Sequence, residues 1–312
     1  MGDNIPRRQN ESRATEFILF GFPGTLHFQM FMFTLFLIMY ILTVLGNVAI
    51  IILVITNHRL HTPMYFFLCN LSFLEIGYTT SSIPKTLVVF LGRNKIISFT
   101  GCILQMYFVF AFGLTEYFLL SVMAYDRYLA ICYPLRYSTI MDIHLSCKLA
   151  VSSWLSGFLI IVIPAFLITR LTFCGPNVIN HFYCSIDSWI VLSCTSTYAV
   201  EMAAFIISAI IILGSCMMTL LSYIYIISTI LRIPSAKGQQ KAFSTCSSHL
   251  AVVLIWYGAT IFLYVKPSKR SGLEMGKVVN ILSIIVTPLL NPFIYTLRNK
   301  EVKDALRNSL RR

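Results

Sequence analysis

Charge is what this sequence has least of. Of its 312 residues 12% are Asp, Glu, Lys or Arg, and the acids number only 12. A soluble domain usually carries about 25% charged residues, so an ordinary globular fold is excluded. With 57% hydrophobic residues and a mean hydropathy of +0.77, the chain reads as a polytopic membrane protein. Other absences narrow its chemistry. No nucleophile-and-base constellation and no metal spacing lies within the apolar segments, so it does not read as an enzyme. Its halves show no paired interrupted helices of the transporter kind, and no pore ring or filter sequence marks a channel. The net charge of +12 is scattered over loops and tail. No basic, aromatic face for nucleic acid results. The first 25 residues hold Asp3 and Pro6 and lack the apolar core of a cleavable signal, so insertion is expected to rely on the first span. Repeats and low-complexity segments are absent, and one domain, 1–312, is expected.

What is present is seven long apolar stretches. They run from about His27 to Thr56, Pro63 to Pro84, Gly101 to Cys132, Leu145 to Ile168, Tyr198 to Leu231, Ala242 to Val265 and Val278 to Leu297. A spanning helix needs about 20 residues at roughly 1.5 Å each. The expected fold is therefore an all-α membrane protein, a seven-transmembrane helix bundle over residues 27–297. A short amphipathic C-terminal helix follows within the tail 298–312: Val302, Ala305, Leu306 and Leu310 share a stripe, flanked by Lys300, Lys303, Arg307 and Arg311. Every connection is short except Thr169 to Thr197.

Loop charge barely orients the bundle, with 13 Lys and Arg on the side of Arg127 and 11 on the other. Asn10-Glu11-Ser12 is a glycosylation sequon, and Cys102, Cys174, Cys184 and Cys194 lie on that same N-terminal side. Sugars and disulfides belong outside the cytosol. An extracellular N-terminus (1–26) and a cytoplasmic tail follow. The four outer cysteines allow three pairings. Cys102 with Cys184 and Cys174 with Cys194 is favoured, because it would pin the long loop across the top of span three. A rival reading makes Cys174, Cys184, Cys194 and His181 a metal cluster. Cys69, Cys132, Cys147, Cys216 and Cys246 read as apolar thiols in or near spans.

Polar groups inside spans carry the functional signal. From Ile103 to Tyr125, 23 residues, Glu116 is the only charged side chain, and the span then ends on Asp126-Arg127-Tyr128. Arg127 alone reads as an interfacial anchor; the adjacent Asp126 offers it a breakable ion pair. Eleven residues separate Glu116 from Arg127, which puts them on nearly one helical face, with Val109, Gly113 and Leu120 close to it. Glu75 sits midway along span two, and Asn291-Pro292 interrupts span seven by removing a backbone hydrogen bond. A polar cluster that merely holds helices together is the plain alternative.

Seven spans with MAYDRYLAICYPLRY (123–137) and PLLNPFIYTLRNKEV (288–302) resemble the rhodopsin-like (class A) G-protein-coupled receptors. LHTPMYFFLCNLSFLE (60–75) and KAFSTCSSHL (241–250) narrow the resemblance to the olfactory (odorant) receptors. Gly46-Asn47, Ser222-Tyr223 and the multi-cysteine loop extend it over nearly the whole chain.

The resemblance implies a plasma-membrane receptor for a small-molecule odorant that activates an olfactory-type stimulatory G protein and cyclic AMP. A rhodopsin-like receptor for a non-odorant small molecule is the alternative. It further implies that Asp126 holds Arg127 at rest, and that Tyr128, Tyr223, Asn291, Pro292 and Tyr295 belong to the switch. A ligand pocket would be lined by Val109, Phe110, Gly113, Leu114, Ser208, Ile211, Tyr257, Thr260, Ile261, Tyr264 and Ile284. Most of that set is apolar and no acid stands in the outer half of span three, which suits a neutral, largely apolar ligand. Glu75, Glu116 and Asn291 would hold a sodium ion, as in similar receptors, or the two acids would share a proton. Departures from the family pattern are Glu75 in place of the more usual aspartate, Ser185 after Cys184, and a span six without the proline motif of other rhodopsin-like receptors.

Overall fold

The computed structural model describes residues 15–22, 24–92, 94–174, 176–264, 272–298 and 302–303. Its helices start where the sequence supplies caps. Helix α1 (Leu26–Thr56) follows Thr25, whose hydroxyl accepts from Phe28 N. Helix α2 (Pro63–Phe90) begins on proline, whose missing N–H costs nothing at a first turn. Helix α3 (Phe99–Cys132) is capped by Ser98 at Gly101 N, 3.1 Å. A one-turn helix, α4 (Tyr137–Ile140), leads to α5 (Ile143–Ile160), capped by Asp142 at Leu145 N, 2.7 Å.

The fourth span is two pieces, α5 and α6 (Val162–Thr169), parted at Ile161. Pro164 explains the break: it has no N–H for the Ile160 carbonyl four residues back. After the loop helix α7 (Ile186–Leu192) come α8 (Tyr198–Leu231) and α9 (Ala236–Tyr264). The seventh span is α10 (Gly272–Ile281), a π-helical stretch Leu282–Val286, and α11 (Thr287–Arg298).

These are the seven expected spans, with three longer than their hydrophobic runs implied. Helix α2 continues through Pro84 to Phe90, α9 starts at Ala236, and the seventh span starts at Gly272. In α2 the end beyond the apolar run stays helical with Thr86, Val89 and Phe90 buried. Among the described residues five helical segments are long and apolar enough to cross a membrane, counting α5 with α6 as one and α10 through α11 as one, and α9 adds a bent sixth. Helix α2 is not among them, for it turns Ser72, Glu75, Thr79, Ser82 and Thr86 into the bundle. A span wrapped by other helices need not match lipid. Where α3 meets α5 the backbones nearly touch: a Cβ on Gly157 would sit 2.8 Å from Thr115 N and 2.9 Å from Ala111 O. Of the tail only Arg298, which ends α11, Val302 (buried) and Lys303 (exposed) lie within the described residues.

The end of the bundle opposite Arg127 carries an element that span-finding missed. Strand β1 (Glu16–Leu19) lies between β2 (Ile96–Ser98), antiparallel, and β3 (Val178–Ile179), parallel. Phe17 and Leu19 are fully buried beneath it with Ile179, Cys184 and Trp189. The bridges Cys102–Cys184 and Cys174–Cys194 fasten the long loop to this lid, the favoured pairing. Those cysteines are bonded to one another, so the rival metal reading with His181 fails. Among the described residues no group of three or more His, Cys, Asp or Glu could hold a metal ion. Asn10 lies outside the described residues.

Candidate functional site

Helix α3 runs past four successive sites. At the lid, Gln105 donates to Ser81 O (3.2 Å) and accepts from Cys184 N (3.0 Å), tying the loop to α2 and α3. Phe182 stacks on Phe22 at 5.8 Å, and the Lys277 ammonium lies 5.6 Å above the Phe22 ring while donating to Asn180 Oδ1 at 2.9 Å. His181 is buried; its Nδ1 accepts from Tyr183 N (3.3 Å) and its Nε2 faces the Asn280 amide (3.2 Å). Burial first, and the Lys277 charge second, push its pKa down to about 3, so this ring is neutral at physiological pH.

Below the lid lies the expected ligand region. Val109, Ile211, Tyr257 and Ile284 are buried in one apolar cluster with Trp256, and Thr260 is buried beside it. Phe110, Gly113, Leu114 and Ser208 are half-buried. Ile261 departs from the expectation: 51% exposed, it shares the outward stripe of Leu254 and Gly258. At about 100° per residue that stripe points away from the face of Val253, Trp256, Tyr257 and Thr260. The side chain of Tyr264 is outside the described ones. Sequence reasoning missed the floor. Tyr117 meets Thr260 Oγ1 at 2.5 Å, and its ring lies 5.4 Å from Trp256 and 5.8 Å from Tyr257. The Trp256 indole N–H is buried without an acceptor among the described residues. The Tyr257 hydroxyl faces those of Ser121, Ser215 and Thr219 without a well-aligned hydrogen bond to any of them. Tyr117 could have been found from its spacing, four residues after Gly113 and three before Leu120, which puts it on the inward face of α3.

Deeper still, Glu75 and Glu116 are wholly buried and within electrostatic reach of each other. Asn291 donates to Glu75 Oε1. Glu75 Oε2, both Glu116 oxygens, Asn291 Oδ1 and Asn47 Oδ1 accept no hydrogen bond from the described residues. The proline in span seven frees the Pro288 carbonyl, four residues back; Asn47 Nδ2 donates to it at 3.4 Å and to Thr43 O at 3.0 Å. Gly46 makes room for this, since a Cβ there would lie 3.1 Å from the Pro292 ring. The Gly46-Asn47 and Asn291-Pro292 pairs are thus one joint between α1 and α11.

At the far end Arg127 donates to Asp126 Oδ2 from Nη2 (2.7 Å) and Nε (3.2 Å). Asp126 is fully buried and its other oxygen accepts from the Tyr137 hydroxyl at 2.7 Å. The latch therefore has a third member that the sequence concealed at the end of a motif. Burial, with the Asp126 charge next, pushes the Tyr137 phenol up, which keeps it a donor. Tyr128 turns elsewhere, among Tyr125, Tyr133 and Tyr225. Tyr223 is not on Arg127: its hydroxyl pairs with His249 Nδ1 at 2.8 Å, and His249 Nε2 reaches Leu120 O at 3.1 Å. His249, at the end of the polar run Ser244–Ser248, is another missed member. Tyr295 is buried, with no partner for its hydroxyl among the described residues. Leu135, 96% exposed, protrudes just past the latch.

Comparison with known proteins agrees. The family model described as olfactory receptor matches residues 36–312. Olfactory receptor 6F1 of Homo sapiens is 62% identical over 297 residues, covering 95% of this chain and 96% of the relative. Olfactory receptor 287 of Rattus norvegicus is 61% identical over 303 residues, 97% of each chain. The fold is similar to the crystal structure of squid rhodopsin, with a TM-score of 0.75 at 15% identity over 92% of this chain and 82% of that one. The chain belongs to the olfactory receptor family: it is no enzyme but a multi-pass G-protein-coupled receptor of the plasma membrane, with a small molecule as ligand and a G protein as partner.

Proposed function

We propose that this receptor detects a small, neutral, largely apolar odorant and activates an olfactory-type stimulatory G protein, raising cyclic AMP. The observation that carries the ligand class is the lining itself. Val109, Ile211, Ile284 and Trp256 are buried together, and the polar groups beside them are neutral: Thr260, Tyr117, Tyr257 and the Trp256 indole N–H. No carboxylate stands between Cys102 and Glu116 on α3 to pair with an amine. An apolar site with a few orienting hydroxyls favours neutral ligands, because an unpaired charge there is not compensated. A panel of neutral volatile compounds should raise cyclic AMP in cells expressing the receptor and that G protein. Activation by charged amines alone would overturn the reading.

The coupling end supports the other half. The Asp126–Arg127 pair is a bistable contact: closed, it holds Arg127 within the receptor; open, it presents a guanidinium to the G protein, beside the exposed Leu135. Tyr223 and Tyr295 would swing toward Arg127 as α9 moves outward. Arg127→Ala should leave surface expression and ligand binding intact and abolish ligand-driven cyclic AMP. Normal signalling from a variant at the surface would sink the switch.

Disulfides belong outside the cytosol, so the two bridges of the lid support an N-terminus outside, Arg127 in the cytosol and lipid around the outward stripes of the spans. The donor-free oxygens of Glu75, Glu116 and Asn291 fit a sodium ion, a hard cation suited to oxygen ligands. When bound it would neutralise the buried carboxylates. A proton shared between them is the competing solution.

A further inference from the structure

On the Arg127 side of the bundle lies a cavity of about 600 Å³ that none of these roles uses. The last turns of α1, the turn His58–Leu60, the first turns of α2 and the segment from α4 into α5 enclose it. Ile51, Leu60, Phe66, Cys69, Tyr137 and Met141 are among its walls. Apart from His61, Thr62, Tyr137 and Ser138, the lining residues are apolar. Ile55 and Ile143, 65% and 62% exposed, stand at the mouth. Such side chains at the ends of spanning helices face lipid, so bilayer molecules reach this opening first.

Charge selects among them. Arg59 precedes Leu60 and Arg136 precedes Tyr137, and both are exposed. His58, His61 and His144 are also exposed on these segments. The acids there are accounted for: Asp126 is buried against Arg127 and Tyr137, and Asp142 caps Leu145 N. The rim is therefore basic around an apolar interior, the arrangement that holds an anionic lipid headgroup beside a spanning bundle.

The geometry points to a site for an anionic phospholipid from the leaflet on the Arg127 side. One acyl chain fills the cavity and the headgroup sits at the rim that carries Arg59 and Arg136. The occupant would also touch the switch. Tyr137 lines the cavity and donates to Asp126 at 2.7 Å, so a chain packed on its ring braces the closed latch. This second step rests on the switch reading proposed above; the binding site does not.

The test uses the full-length receptor in nanodiscs of phosphatidylcholine with or without phosphatidylserine. Native mass spectrometry counts retained lipid, and peptide mapping follows alkylation of Cys69 by N-ethylmaleimide. Phosphatidylserine should be retained in preference and should slow Cys69 alkylation. Arg59→Gln and Arg136→Gln, both at exposed positions that spare the fold, should each lower that preference about fivefold. Cys69→Phe, which fills the cavity, should abolish retention. Equal retention of both lipids, or Cys69 protection unchanged by the arginine variants, overturns the site. For the second step, ligand-independent cyclic AMP should rise in the arginine variants. Lost retention with unchanged cyclic AMP upholds the site and overturns its link to the latch, whereas failure of the switch itself shows separately in Arg127→Ala.

Discussion

At the scale of single residues, two side chains outside the spans make the clearest predictions. Tyr137 donates to the same carboxylate that holds Arg127. A hydrogen bond to a charged group contributes about 1.5–3 kcal/mol, so Tyr137→Phe should weaken the closed latch by roughly ten- to hundredfold in its equilibrium. The expected outcome is raised ligand-independent cyclic AMP at unchanged surface expression; a silent variant would mean that Asp126 needs no third partner. His181 predicts a pH dependence of stability. Its folded pKa of about 3 lies below the unfolded value of about 6.5. Between those values the unfolded chain binds the proton and the folded one does not, so stability falls as pH falls. The loss begins near pH 6.5 and amounts to about 1.4 kcal/mol per unit below it. Thermal denaturation of the purified receptor at pH 7.5 and 5.5 measures this, and His181→Gln should flatten the slope. An unchanged slope would place the acid sensitivity elsewhere.

At the scale of elements, the spans were legible because lipid demands long apolar runs, and runs can be read without knowing any contacts. Tyr198–Leu231 matches its expected limits for that reason. What escaped was set by contact. Strand β1 is four residues long and is held by partners some 80 and 160 positions away, which no local pattern announces. Tyr137, Tyr117 and His249 were in plain sight as letters, but their roles depend on which carboxylate, hydroxyl or carbonyl the packing brings near. Ile261, which the family resemblance put in the pocket, is 51% exposed on the stripe of Leu254 and Gly258. The lid is nonetheless a structural element of consequence. Phe17 is fully buried, edge-on to Phe173 at 5.7 Å and to Trp189 at 5.0 Å. Truncating such a ring costs about 3–5 kcal/mol. Phe17→Ala should therefore lower the denaturation temperature and surface expression, whereas Phe20→Ala, at a 45% exposed position beside it, should not. Equal behaviour of the two would show that β1 contributes nothing to the fold.

At the scale of the whole molecule, α3 passes beneath the lid, the aromatic floor, the buried acids and the latch in turn. The question is what lets the ends communicate. Two carboxylates buried without a cation would be severely destabilising, so Glu75 and Glu116 must be neutralised in the resting receptor, by a sodium ion or by protons. The two cases separate by linkage. An ion that binds the resting bundle and not the active one stabilises rest by an amount that grows with its concentration. Agonist affinity should then fall as sodium replaces choline at constant ionic strength, by up to about tenfold for each tenfold rise in sodium above its dissociation constant. With a shared proton instead, affinity should ignore sodium and follow pH. Glu75→Gln with Glu116→Gln keeps the shape of both side chains and removes both charges, so it should flatten the sodium response. Asn291→Ala, which leaves the acids and removes one oxygen and the donor to Glu75, should reduce that response without erasing it. Sodium dependence that survives the double substitution would take the ion away from these residues, and with it the idea that the acids midway along α3 link odorant binding to the release of Arg127.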